Sequence, residues 1–176
     1  MDSEFTPAEC SQAVSGNAGK SYPAIKIEGD LIFRQHIRTA LSEISKKSCS
    51  YYSFVRANVD KVTVSRLALF RAGEYREVIR AISVDPSSGS DVYSSGVIIH
   101  EACHSYQQLN GRSYSEPDCA TTQHDFLKRT GASAEASEVE RVSAMMPQYS
   151  LNGKDVYDEW LDRANKNSYV CALAKN

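Results

Sequence analysis

A chain of 176 residues, 41% hydrophobic and 24% charged, is long enough for one globular domain with its own core. Its formal net charge of −2 argues against nucleic acid as a partner, because binding phosphate requires clustered Lys and Arg. No apolar run approaches the roughly 18 residues that a membrane span requires, so no membrane partner is expected either. We expect a monomer.

The first part of the chain, residues 1–28, is rich in Ser, Gly, Ala and Pro and shows no sustained periodicity. We predict an irregular arm here, in which MDSEF at 1–5 is a candidate remnant of an expression vector. The opening residues contain no apolar segment of the kind found in signal peptides. A single domain is predicted over 29–176.

A helix is predicted directly after this arm. Asp30 is its expected N-cap, and the apolar residues that follow recur at helical spacing up to Lys46 and Lys47. The chain then becomes β-rich. We predict one strand at 61–70, with a bulge near Ser65, and an edge strand within 74–85, with AGE at 72–74 as a turn between the two stretches.

The C-terminal half is predicted to be mostly helical. One helix runs from Ser94 or Ser95 to Leu109, and a second begins after an N-cap at Ser115 and ends at Gly131. Two more are expected at about 134–146 and 155–165, the last with its apolar face inward (Val156, Trp160, Leu161 and Ala164). Because the strands are segregated from most helices, the fold class is α+β, with a small antiparallel or mixed sheet.

The motif most indicative of chemistry is His100-Glu101-Ala102-Cys103-His104. Residues four apart lie on the same face of a helix, so both imidazoles are able to bind one metal ion. Glu101 is offset from them and faces a water molecule rather than the ion. Zinc with three protein ligands lowers the pKa of water to about 7, and a neighbouring carboxylate accepts its proton during attack on a carbonyl. The spacing therefore favours metal-assisted amide hydrolysis.

VIIHEACHSYQQ, residues 97–108, resembles the active-site helix of the zincin metallopeptidases. The order of helix, strands, motif helix and acidic helix is similar to the compact gluzincin core. This resemblance implies Zn²⁺ on both histidines and a downstream glutamate, with Glu101 as the general base. It also implies a peptide or protein substrate. Gln107 and Asn110 stand where the metzincin pattern has Gly and His, so a metzincin third histidine is excluded.

The resemblance points to Glu116 as the third metal ligand. In SEPDCATTQ, residues 115–123, Glu116 shares a helical face with the small residues Cys119 and Ala120, as in the gluzincin arrangement that lets two ligand helices approach closely. The alternatives are Glu135, Glu138 and His124. An acidic residue in the first helical turn also has an ordinary explanation, since it complements the helix dipole.

Five cysteines leave at least one thiol unpaired within the chain. If α-helices bearing His104 and Glu116 share one ion, Cys103 and Cys119 come within disulfide range. We expect that bridge, with Cys49 paired to Cys171 and Cys10 left free. The alternative is that Cys103 is itself a metal ligand. Two disulfides favour a secreted or periplasmic protein, and the cytoplasm is the alternative.

Three functions remain open at this point. The first is a zinc metallopeptidase in which the edge strand near 76–84 holds an extended peptide. The second is a zincin-like binding or inhibitory module without turnover, and the third is a metal hydrolase for a small amide. An oxyanion-stabilising tyrosine is not singled out by spacing; the candidates are Tyr93, Tyr106, Tyr149 and Tyr157. His36 is expected at the surface.

Overall fold

The computed structural model describes residues 3–5, 10, 24–64, 73–76, 80–85 and 89–166. These residues form an α+β arrangement, as predicted, and most of them are helical. The strands are β1 (Ser3–Phe5), β2 (Ile25–Glu28), β3 (Lys61–Val64), β4 (Gly73–Arg76) and β5 (Ala81–Val84). The helices are α1 (Leu31–Lys47), α2 (Cys49–Asn58), α3 (Asp91–Leu109), α4 (Glu116–Arg129), α5 (Ser133–Met145) and α6 (Val156–Lys166), with a 3-10 helix at Pro147–Tyr149.

The five strands form one sheet in the order β1-β2-β3-β5-β4. The three central strands, β2, β3 and β5, run parallel, and Ile27, Val62 and Ile82 lie opposite one another across them. The outer strands β1 and β4 pair antiparallel with their neighbours. The described strands therefore form a mixed sheet, and the predicted alternative of an antiparallel sheet is wrong. All four residues of β5 are buried, as expected for a central parallel strand.

The single edge strand predicted within 74–85 is two strands. The chain turns at Arg80, which has a positive φ of 46°, so that β4 and β5 pair with each other. β4 is consequently the edge strand, and β5 is internal. The bulge predicted near Ser65 and the first residue of the predicted turn, Ala72, lie outside the described residues. The other two residues of that turn, Gly73 and Glu74, are instead the start of β4, so the predicted turn is wrong there.

Two strands lie inside the stretch predicted to be an irregular arm. In β2, Ile25 and Ile27 are fully buried and alternate with the exposed Lys26. Four residues are too few to reveal this alternation among the Ser and Gly around them. The sheet therefore begins well before residue 29.

Helix ends agree with the predicted caps. Asp30 accepts a hydrogen bond from the backbone N of Phe33 at 2.8 Å and begins α1. Ser48 ends α1 and caps α2, a helix that was not predicted. The aromatic residues of α2 hold α6 in place: Tyr51 stacks on Tyr157 with ring centroids 3.6 Å apart. Burial of Val156 and Trp160 confirms the predicted inward face of α6.

The motif helix α3 lies at the centre of the protein. Every residue from Ser94 to Gln107 is buried, and α1, α2 and α4 pack around it, with β4 and β5 alongside. A helix buried on all sides has no solvent to satisfy its polar groups, so each polar side chain needs a partner. No helix in the described ranges is long and apolar enough to cross a membrane.

His36 is not the surface residue that was expected. Its Nδ1 lies 2.5 Å from Oδ1 of Asp91, and its Nε2 lies 2.8 Å from Oγ of Ser94. This joins α1 to the first turn of α3. The connectivity is that of a Ser-His-Asp triad, but Ser94 is fully buried and has no access to a substrate. The three residues therefore act as a structural link.

Two disulfides join distant parts of the chain. Cys103 pairs with Cys119, as predicted, while Cys10 pairs with Cys49. The predicted pairing of Cys49 with Cys171 and the free thiol at Cys10 are therefore wrong. Cys10 is buried, with its Sγ 3.6 Å from the carbonyl oxygen of Ser45 at the end of α1, which places it beside Cys49. Cys171 lies outside the described residues.

Candidate metal centre

The two histidines of the motif lie one turn apart on α3 and point to the same place. His100 is 7% exposed and His104 is 2% exposed. The carboxylate of Glu116, in the first turn of α4, lies directly against both rings. This is the one group in the described part of the chain whose His, Cys, Asp or Glu ligand atoms converge closely enough to hold a metal ion.

The three ligand atoms form a closed triangle. Nε2 of His100 lies 3.1 Å from Nε2 of His104 and 3.0 Å from Oε2 of Glu116, and the remaining side, from His104 to Glu116, is 3.3 Å. Three ligands of one tetrahedral zinc ion lie roughly 3.3 Å apart when each bond is about 2.0–2.1 Å. The spacing therefore fits a small tetrahedral cation.

Gln107 orients His104 toward this triangle. Nδ1 of His104 donates a hydrogen bond to Oε1 of Gln107 at 3.3 Å. With the proton on Nδ1, Nε2 presents its lone pair to Oε2 of Glu116, so two acceptors face each other. A cation bound between these two atoms would remove the repulsion. A hydrogen-bond acceptor on the other ring nitrogen, as Gln107 is here, is typical of metal-bound histidines.

Gln107 also joins the histidine helix to the glutamate helix. Its Oε1 accepts from the backbone N of Ser115 at 3.1 Å, and its Nε2 donates to the carbonyl oxygen of Ser115 at 3.4 Å. Ser115 is the predicted N-cap of α4, and its Oγ accepts from the backbone N of Asp118. One glutamine therefore sets both the tautomer of His104 and the start of the helix that carries Glu116.

Close packing of α3 and α4 depends on Gly96. A Cβ at this position would lie 3.1 Å from a methyl carbon of Leu127 and 3.3 Å from Cγ of Gln123. The absence of a side chain lets α4 approach α3 one turn before His100. This approach brings Glu116 within reach of both imidazoles.

Ionisation of the three groups suits metal binding. Burial lowers the pKa of His100, which keeps its imidazole neutral, and a neutral imidazole is the form that binds a metal. Burial alone would raise the pKa of Glu116, but its close contacts with His100, His104 and Tyr114 outweigh burial and hold that pKa well below its usual range. The site therefore offers two neutral nitrogens and one carboxylate.

The disulfide between Cys103 and Cys119 lies next to this centre. It joins α3 to α4 with a Cα separation of 5.4 Å. Because Cys103 is in the disulfide, it is not the additional metal ligand considered as an alternative.

The structure places the alternative third ligands elsewhere. Glu135 accepts a hydrogen bond from Oγ of Ser90, and Glu138 pairs with Arg141 through both carboxylate oxygens. His124 lies between Asp125 and Glu140. Each of these residues has a partner outside the triangle.

Glu101 is buried, 5% exposed, and directly follows His100 on α3. Burial is the main cause that raises the pKa of Tyr114, whose hydroxyl contacts Glu116, and the charges of Glu116 and Glu101 add to this shift. Glu101 therefore lies near Tyr114, and it is not among the three converging ligand residues. Its role as general base stays a prediction.

Two tyrosines lie at the centre, and only one was a candidate. The ring of Tyr149 lies 6.3 Å from that of His100, and the ring of Tyr114, which sequence reasoning missed, stacks on His104. Tyr106 donates instead to Glu159, and Tyr157 to Ser50. The remaining candidate is Tyr93. Burial raises its pKa, and the nearby Glu138 and Tyr149 raise it further.

No known protein family, characterised protein or solved structure shows a significant match to this chain. The metal that this centre binds is therefore inferred from the ligand atoms themselves. Two imidazole nitrogens and one carboxylate oxygen form a ligand set that is common for zinc and also suits other divalent transition metals.

Proposed function

We propose that this protein is a zinc-dependent peptidase of gluzincin type, in which His100, His104 and Glu116 hold the metal. The observation that carries the proposal is the closed triangle of their ligand atoms, 3.0–3.3 Å on each side, in a nearly buried site. A three-ligand set leaves one coordination position for water or substrate, which distinguishes a catalytic zinc site from a structural one.

Zinc bound here would polarise a peptide carbonyl and lower the pKa of water. The acid–base work is assigned to Glu101. Its carboxylate accepts a proton from the attacking water and returns it to the departing amine nitrogen, so that one residue serves both steps. The position of Glu101 next to His100 and its burial support this role.

The sheet supports an extended peptide as the substrate. β4 is the outermost strand on the side of the sheet that contacts α3, and it is antiparallel to β5. An edge strand presents unpaired backbone groups, which bind an extended chain as one more strand. We therefore place the substrate along β4 (Gly73–Arg76), rather than along the whole of 76–84.

The two disulfides support export to an oxidising compartment, either the periplasm or the outside of the cell. A zinc peptidase in such a compartment would meet its peptide substrates there. Because the Cys103–Cys119 disulfide lies next to the metal centre, we propose that the oxidised protein is the form that binds zinc and cleaves peptides.

The test combines metal analysis with a peptidase assay. Oxidised wild-type protein is expected to contain one equivalent of zinc and to cleave members of a broad peptide library. Glu101→Gln should retain the zinc but lose most turnover, since an amide accepts no proton. A wild type that holds zinc and cleaves no peptide would refute the peptidase and leave a binding or inhibitory module. Loss of zinc from Glu101→Gln would show that Glu101 is a ligand.

A further inference from the structure

The two carboxylate oxygens of Glu116 have different partners. Oε2 faces Nε2 of His100 at 3.0 Å and Nε2 of His104 at 3.3 Å, whereas Oε1 accepts a hydrogen bond from the hydroxyl of Tyr114 at 2.8 Å. One oxygen is thus directed into the triangle and the other is held outside it. The carboxylate has no freedom to turn both oxygens toward the same point while the Tyr114 hydrogen bond is made.

Tyr114 is itself oriented by the centre that it contacts. Its ring lies parallel to the imidazole of His104, with an interplanar angle of 4° and centroids 4.1 Å apart. The stack determines the direction of the phenol and brings its hydroxyl to Glu116. Tyr114 therefore rests on one candidate ligand and donates to another, although it is 67% exposed.

Burial of apolar area does little to hold Tyr114 in this position, because most of the residue is exposed. The residue precedes the N-cap Ser115, in the loop that connects α3 with α4. Nothing about this loop prevents the Tyr114 side chain from pointing into solvent, as loop side chains usually do. The stack on His104 and the hydrogen bond to Glu116 instead direct it toward the metal centre, which indicates a function there.

We propose that Tyr114 is a positioning residue that keeps Glu116 a one-oxygen ligand and so preserves an open coordination position on the metal. This inference rests on the proposed metal site. Two imidazoles and one oxygen leave the fourth position of a tetrahedral ion for water or substrate. A carboxylate that binds through both oxygens adds a ligand beside that position and crowds it. The Tyr114 hydroxyl prevents this because it donates a hydrogen bond to Oε1.

The test uses Co²⁺ in place of zinc, because its visible absorption is intense for four ligands and weaker for five. Tyr114→Phe keeps the stack on His104 and removes the hydroxyl alone. We expect cobalt to bind about tenfold more weakly, as is typical when a partner of a metal ligand is removed. The bound cobalt should also absorb less intensely than in wild type, since Glu116 becomes free to bind through both oxygens.

Tyr106→Phe is the matched control, because the Tyr106 hydroxyl donates to Glu159, away from the centre. It should reproduce the wild-type affinity and spectrum. Thermal unfolding of the metal-free proteins checks that both variants are folded. If Tyr114→Phe binds cobalt with the wild-type affinity and spectrum, the role of Tyr114 is overturned while the metal site stands. If wild-type protein takes up no cobalt, the metal site and this inference fall together.

Discussion

Sγ of Cys119 lies 3.3 Å from Nδ1 of His104, so the disulfide that joins α3 to α4 touches a candidate ligand of the metal. Cys119 is also three residues after Glu116 on the same helix. The bridge therefore restrains the two helices at the point where their ligands meet. Its removal should affect metal binding as well as folding.

The variant Cys103→Ala/Cys119→Ala tests this. Loss of the bridge should lower the free energy of unfolding by about 3 kcal/mol, the chain-entropy estimate for a loop of this size. Zinc affinity should fall too, because Glu116 is then less restrained. The matched control is Cys10→Ser/Cys49→Ser, which removes the bridge at α1 and α2. Competition titration with a chelator and urea unfolding measure the two effects, and equal loss of zinc affinity in both variants would contradict the prediction.

Gly153 packs against the first turn of α4. A Cβ at Gly153 would lie 2.3 Å from the carbonyl carbon of Pro117, the residue after Glu116. Gly153→Ala should therefore displace that turn, weaken zinc binding and cost about 1–3 kcal/mol of stability. Gly131→Ala is the control: its positive φ of 79° adds strain, but nothing lies within 4 Å. It should lose stability and keep its zinc affinity.

Single substitutions distinguish the ligands from the alternatives. Glu116→Gln should lose stoichiometric zinc, and His100→Ala likewise, because two remaining ligands hold the ion poorly. Glu138→Gln and His124→Gln should each keep one equivalent, since their side chains pair with Arg141 and with Glu140. Elemental analysis after dialysis gives the answer. Zinc retained by Glu116→Gln and lost by Glu138→Gln would reverse the assignment.

The pKa of Asp155 predicts how the stability of the fold changes with pH. Burial, with repulsion from Asp158, raises its pKa from 3.8 to about 6. The folded protein therefore binds this proton more tightly than the unfolded chain, and the stabilisation is complete below about pH 4 and lost as the pH rises through about 6. Asp155→Asn avoids the loss and should be more stable than wild type at pH 8, by roughly 1–2 kcal/mol, but not at pH 4.

Asp158→Asn is the control of opposite sign. Hydrogen bonds from Arg129 lower the pKa of Asp158, so its charged form stabilises the fold, and that stabilisation is lost only as the pH falls through the lowered pKa. This variant should be less stable than wild type at pH 8. Urea unfolding at pH 4, 6 and 8 measures both, and a destabilised Asp155→Asn at pH 8 would refute the assignment.

Most helices could be predicted from the sequence, because their signals are local. Asp30 and Ser115 cap α1 and α4 as the pattern of side chains indicates, and α3, α5 and α6 begin within four residues of the expected positions. α2 was missed because its ten residues are rich in aromatic side chains, which have no strong helical preference. It packs against α3 and α6, both distant in sequence, and these contacts leave no local signal.

The sheet could not be predicted in the same way. Its strands have three or four residues, too few for an alternating pattern to emerge. Parallel pairing of β2, β3 and β5 depends on contacts between segments that are distant in sequence. The same reason explains the disulfide of Cys10 with Cys49, because Cys10 lies in a stretch without periodicity.

The candidate site was partly predictable. Helical spacing alone places His100 and His104 together, and a following helix with an early glutamate made Glu116 the first choice over Glu138. The choice between them depends on tertiary packing, because the approach of α4 to α3 brings Glu116 against both imidazoles, whereas Glu138 pairs with Arg141 on its own helix. Tyr114 gave no periodic signal. The one feature that indicates a role for Tyr114 is its position two residues before Glu116, in a short loop that must reverse the direction of the chain between α3 and α4.

The contact of Gly153 with α4 also implies an order of assembly. A ribosome completes both histidines and Glu116 well before it reaches Gly153, and Lys154 and Val156, which bond to Asp118 and Thr122 of α4, follow later still. Until they emerge, the first turn of α4 lacks the surface that holds it. The candidate metal centre is therefore expected to reach its final form only after Val156 has been synthesised.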